Sequence, residues 1–111
     1  LQVKISLSGK GLATSGNYRK FRTDSSGRKI VHTVDPRTGQ PVTSDLLSAT
    51  VVAETSAEAD AYGTALMVMG LERGKEFLAA HPEIQAYLIY SDEQGRFQTY
   101  VTPELGRTIA R

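Results

Sequence analysis

Residues 48–70 read Ser48-Ala49-Thr50-Val51-Val52-Ala53-Glu54-Thr55-Ser56-Ala57-Glu58-Ala59-Asp60-Ala61-Tyr62-Gly63-Thr64-Ala65-Leu66-Met67-Val68-Met69-Gly70. This stretch changes period halfway. Its first six residues are small or β-branched and predict, with Leu47 before them, a buried strand over 47–53. Thr55 and Glu58 then form a capping box, in which each side chain can satisfy a backbone donor at a helix start. From there alanines and long apolar residues carry a helix to Gly70, a plausible C-terminal stop.

A second, more amphipathic helix is predicted over residues 71–80, closed by Pro82. Residues 84–91, the turn Asp92-Glu93-Gln94-Gly95 and residues 96–101 predict a terminal hairpin. Upstream, Val3, Ile5 and Leu7 alternate with polar residues and predict a half-buried strand ending at Gly9. The run Gly11 to Asn17 is small and glycine-punctuated, and residues 18–22 suggest another strand. Asp24-Ser25-Ser26-Gly27 is a turn cluster, with a return strand over 28–34. A constrained turn follows from Asp35 to Pro41. Strands, then two helices, then strands predict an α+β (mixed α/β) domain, with a sheet of hairpins packed against two central helices.

The 111 residues suffice for one small domain. A net charge of +1, with basic residues scattered, gives no electrostatic footprint for nucleic acid. There is no cysteine, which excludes disulfides, thiolate metal sites and a cysteine nucleophile. No apolar run approaches the roughly 18 residues that a helical membrane span needs. The chain opens at Leu1 and enters a strand pattern almost at once, so a fragment of a longer protein is expected.

Four places can carry chemistry. Asp60 and Thr64 lie one turn apart and project from the same helix face. A carboxylate and a hydroxyl there can offer two oxygen ligands to a hard cation such as magnesium. Thr64 can equally bond back to a helix carbonyl. The small residues Ala59, Ala61, Gly63 and Ala65 would leave this surface open to a phosphate-bearing ligand. His32, near a strand end, can serve as a general base, since imidazole exchanges a proton near neutral pH, or simply as a structural residue. His81, before Pro82 at a helix end, reads as structural. In the turn, Asp35 can cap its own backbone while Arg37 and the amides around Gly39 meet a phosphate. The stretch through Thr14, Ser15 and Gly16 can cradle a ligand, although it matches no P-loop or dinucleotide fingerprint.

Taken together and in this order, four stretches resemble the C-terminal half of the ApbE family, the FAD:protein FMN transferases. They are Gly11-Leu12-Ala13-Thr14-Ser15-Gly16-Asn17-Tyr18-Arg19, His32-Thr33-Val34-Asp35-Pro36-Arg37-Thr38-Gly39-Gln40-Pro41, Ser48 to Ala53, and Ala59 to Gly70. The pairing of His-x-x-Asp-Pro-x-Thr-Gly with Ala-Asp-x-x-x-Thr-Ala makes the resemblance specific. It covers most of residues 8–71 and continues loosely to about residue 102.

The resemblance implies a T-fold-like architecture and magnesium-dependent transfer of FMN from FAD to a threonine or serine hydroxyl of a target protein, with release of AMP. It implies that Asp60 and Thr64 are magnesium ligands and that His32 acts in transfer. It further implies that Val34 contacts FAD, and that Asp35, Thr38 and Gly39 form a signature turn with a structural role and possible flavin contact. The acceptor is expected to be a flavoprotein subunit of a redox pump or electron-transfer system. Three readings compete with transfer: magnesium-dependent hydrolysis of FAD to FMN and AMP, flavin binding without turnover, and a plain α+β interaction domain in which these motifs are all structural. The resemblance also implies that residues 1–111 are the C-terminal portion of a domain whose N-terminal half supplies the rest of the FAD pocket and metal shell. This chain alone is then expected to lack full activity. Family members are commonly periplasmic lipoproteins, which implies a lipid-anchored periplasmic protein.

Overall fold

The computed structural model describes residues 4–5 and 10–110. Its elements, in chain order, are β1 (Lys4–Ile5), β2 (Gly11–Ser15), β3 (Arg22–Thr23), β4 (Lys29–Val34), β5 (Pro41–Ser44), β6 (Leu46–Ala53), α1 (Ser56–Ala80), β7 (Gln85–Ser91), β8 (Phe97–Val101), α2 (Pro103–Thr108) and β9 (Ile109–Ala110). The central sheet is antiparallel, in the order β2-β6-β7-β8. A second sheet is built from β3-β4-β5, and β1 pairs with β9. The expected α+β architecture is therefore present. Of the strand predicted through Val3, Ile5 and Leu7 to Gly9, only residues 4–5 lie among the described ones.

β6 is central because both of its faces are covered. Leu46, Leu47, Ala49 and Val51 are wholly buried, and α1 packs across β6 and β2. Leu66 of α1 and Leu88 of β7 are equally buried in this core. Burying each such leucine contributes roughly 1.5–3 kcal/mol. Thr55 caps α1 as expected, its Oγ1 accepting the Glu58 amide at 3.1 Å.

The two predicted helices run on from each other and are separated by a break at Gly70, whose φ of 81° and ψ of 179° are far from helical values. That positive φ is open to glycine at little cost. The chain then restarts its helix, and the Leu71 amide donates to the carboxylate of Asp45 at 3.4 Å. A residue distant in sequence thus does what a local cap does elsewhere.

Gly11 to Ser15, to which the sequence assigned no element, forms strand β2, paired residue for residue with β6. One expectation needs correction. Residues 18–22 are mostly not a strand. Asn17 draws the chain into a turn, its Oδ1 accepting the Arg19 amide at 3.0 Å and its carbonyl the Lys20 amide at 2.9 Å. The aromatic side chains that suggested a strand instead dock the hairpin: Tyr18 and Phe21 each meet Phe97 edge-on, with centroids 5.7 Å apart. His81 is the C-cap of α1 and lies against Phe77, as a structural histidine would.

Candidate functional site

One cleft of about 450 Å³ joins the Asp60/Thr64 pair, His32 and the Thr14–Gly16 stretch singled out in the sequence. Asp60 and Thr64 form its helical wall, His32 stands on the strand side, and the end of β2 closes it with Thr14, Ser15, Gly16 and Asn17. Val31, Thr33, Met67 and Lys20 complete the lining. Its size lies within the range of ordinary ligand sites.

The helical wall is fixed by close packing. Ala59 and Gly63 are buried on the face that meets β2. A Cβ placed on Gly63 would lie 2.5 Å from Ser15 Oγ, so only glycine admits this approach without adjustment. The small residues at 59 and 63 therefore serve helix–strand contact and do not form the open ligand surface expected of them. Asp60, on the exposed side, keeps its carboxylate free of protein partners among the described residues. The Thr64 hydroxyl donates to the Asp60 carbonyl at 3.1 Å, the back-bond that the sequence allowed. Donating the proton leaves the hydroxyl lone pairs available, so a carboxylate and a hydroxyl oxygen remain side by side. That donor set suits a hard cation that fills its other positions with water or phosphate oxygens. No cluster of three or more histidine or carboxylate side chains forms a fuller metal cage among the described residues.

The strand wall is fixed by a turn. Both Asp35 oxygens are engaged: Oδ1 accepts the Arg37 amide (2.9 Å) and Nε (3.2 Å), and Oδ2 accepts Nη2 at 2.9 Å. The Asp35 carbonyl accepts the Thr38 and Gly39 amides, its amide donates to the Gln40 carbonyl, and the Gln40 amide donates to Thr38 Oγ1. The Arg37 side-chain hydrogen bond, reinforced by its backbone amide, holds the Asp35 carboxyl below the usual aspartate range. The amides around Gly39 are thus spent inside the turn and are not free for a phosphate. Arg37 is tied to Asp35.

Val34, Asp35, Thr38 and Gly39 do not line the cleft. Val34, 58 % exposed, stands at the end of β4, while Asp35 is buried beneath its turn. His32 sits three residues before Asp35, opposite Thr43 in the register of β4 with β5. Its Nδ1 lies 3.3 Å from Thr43 Oγ1.

Sequence reading missed Lys20, Asn17 and Met67 as lining residues. Lys20 was hidden inside a presumed strand, and the Asn-x-x-Lys spacing after Gly16 was the available signal of a turn. Lys20 brings to the cleft a cation with no ion-pair partner among the described residues.

The cleft thus sets the Asp-x-x-x-Thr oxygens of a helix beside a hairpin histidine. The model of the ApbE family matches residues 1–88, and the chain belongs to that family. It is 38% identical over 104 residues to the FAD:protein FMN transferases of Klebsiella pneumoniae (strain 342) and Escherichia coli (strain K12), covering 94% of this chain and 29% of each of those proteins. Among solved structures it is similar to the apo form of the Pseudomonas stutzeri flavinyl transferase ApbE, with a TM-score of 0.76 and 36% identity, over 94% of this chain and 32% of that one. The flavin transferase ApbE from Vibrio cholerae gives a TM-score of 0.69 at 32% identity, over 89% and 30%. The chain spans less than a third of the length of the curated relatives it matches.

Proposed function

We propose that this chain is the C-terminal portion of a domain that transfers FMN from FAD to a serine or threonine hydroxyl of a protein. The observation that carries the reading is the single cleft shared by Asp60, Thr64 and His32. In this reading Asp60 and Thr64 hold a magnesium ion. Bound there, magnesium supplies positive charge to the FAD pyrophosphate and to the AMP that leaves. The acceptor hydroxyl attacks the FMN phosphorus, a phosphoester bond forms, and the bond to AMP breaks. His32 takes the hydroxyl proton. Lys20 adds a positive charge to the same cleft and so favours an anionic ligand.

Val34 lends its backbone to FAD, and Asp35, Thr38 and Gly39 hold the turn beside it. An N-terminal portion of the domain supplies the rest of the pocket. The acceptor is a flavoprotein subunit of an electron-transfer system, and the full protein is lipid-anchored in the periplasm, both by likeness to the family.

The test is a chimera in which residues 1–111 replace the matching segment of the Escherichia coli transferase, incubated with FAD, Mg²⁺ and an acceptor protein. Covalent flavin fluorescence on the acceptor together with AMP is the expected result. AMP without covalent flavin would make the chain part of a hydrolase. With neither product, but with flavin retained, it would be a binding module.

A further inference from the structure

We propose that Thr43 is a positioning residue for His32: its Oγ1 accepts the Nδ1–H of the imidazole and so keeps the lone pair of Nε2 for the cleft. This rests on the reading of His32 as the group that takes the acceptor's proton. The two residues face each other across the β4–β5 ladder, with Nδ1 and Oγ1 3.3 Å apart. His32 makes no other side-chain hydrogen bond among the described residues, so Nε2 is left open on a ring that lines the cleft. A neutral imidazole carries one proton, and the partner of one nitrogen decides the state of the other. A ring that accepts a proton at Nε2 must carry its own at Nδ1. Thr43 Oγ1 is the acceptor that the described residues place there.

The register behind this contact is set eight residues of chain away from Thr43. The Asp35 amide bonds to the Gln40 carbonyl and the Asp35 carbonyl gathers the Thr38 and Gly39 amides, closing the β4–β5 turn at one fixed length. Antiparallel pairing then runs Val34 to Pro41, Thr33 to Val42 and His32 to Thr43. One residue more or less in the turn would send Thr43 to the other face of the ladder. The Asp-Pro-x-Thr-Gly signature thus acts on His32 through Thr43 without lining the cleft.

The test reads the tautomer directly, by long-range ¹H–¹⁵N correlation spectra of the histidine-labelled chain at a pH where the ring is neutral. The expected wild-type result is His32 protonated at Nδ1 and bare at Nε2. Thr43→Val and Thr43→Ala should return the ring toward the Nε2–H form that free imidazole side chains prefer, and Thr43→Ser should keep the wild-type pattern. In the chimera, Thr43→Val should slow flavin transfer about tenfold, a fraction of the roughly 10² to 10⁴ that a positioned base supplies, with rescue by serine. A wild-type His32 carrying its proton at Nε2, or a tautomer unmoved by Thr43→Val, overturns the proposal. A tautomer that responds to Thr43 while the transfer rate does not would uphold the positioning and remove His32 from the chemistry.

Discussion

The two walls of the cleft are held by different physics. On the helical side, Asp60 and Thr64 are placed by apolar packing: Ala59, Gly63 and Leu66 seat one face of α1 on β2 and β6, and the cleft opens along the edge of that face. On the strand side, Val31 anchors β4 in the core, and polar contacts through Asp35, its turn and Thr43 set the register that places His32. Packing of the first kind is insensitive to pH and intolerant of volume. The second kind tolerates volume, because the turn is exposed, but depends on one carboxylate staying ionised. The cleft therefore has one wall sensitive mainly to steric change and one whose turn is also sensitive to acid.

The largest effect should come from the helical wall's chemistry. Asp60→Ala, or EDTA on the unaltered chimera, is expected to reduce flavin transfer close to the uncatalysed background, measured as covalent fluorescence on the acceptor. His32→Ala on the other wall should cost less, roughly 10²-fold in rate, within the range of a lost general base. Equal and near-wild-type activity in both variants would remove the cleft from the reaction.

Gly63→Val probes how the helical wall is held. Its side chain must displace Ser15, and overpacking of this kind costs about 1–3 kcal/mol in denaturant unfolding. Its effect should be the same at pH 7 and pH 5. Asp35→Asn probes the other wall and should show the opposite signature. Because the folded-state pKa of Asp35 is lowered, its contribution is complete above the ordinary aspartate range and is lost as pH falls through that range toward the depressed value. The variant should be less stable than wild type at neutral pH, with the difference shrinking in acid. Asp24 is lowered mainly by its Ser26 hydrogen bond, and Asp92, lowered to about 2, mainly by the Arg96 amide. Both have the same sign, so the acid limb of the stability curve should flatten in Asp35→Asn without disappearing. A pH-independent loss would contradict the polar account of this wall.

The smallest effect is expected from Gly39→Ala. Gly39 has φ 72° with open space where a Cβ would stand, so only backbone strain, about 1–2 kcal/mol, opposes the change. His32 should keep its contact with Thr43.

These differences also explain what could be read from the residues alone. The packed half was legible: Thr55 and Glu58 marked the start of α1, Gly70 its break, and β-branched residues marked β6. Asp60 and Thr64 followed, because a helix fixes which residues share a face. The strand side was only partly legible. His32 and the Asp35 turn could be placed in sequence, but β5 was not anticipated, and without its register Thr43 had no meaning. Strand β2 was missed because its Gly-Leu-Ala-Thr-Ser composition has little β propensity. It is a strand because it pairs along its length with β6, and Gly11 and Ser15 are small where α1 passes close to them. Lys20 was misplaced because Tyr18 and Phe21 imitate a strand while serving as anchors on Phe97.

The central claim is that the helix oxygens and the hairpin histidine face one cation-binding cleft. The most direct measurement is a titration of the ¹⁵N-labelled chain with Mn²⁺, a paramagnetic ion that shares the oxygen preference of magnesium. The account predicts that signals of Asp60 and Thr64 broaden first and those of His32 next. Asp60→Asn should abolish the pattern. Broadening that begins elsewhere, or that survives Asp60→Asn unchanged, would contradict it.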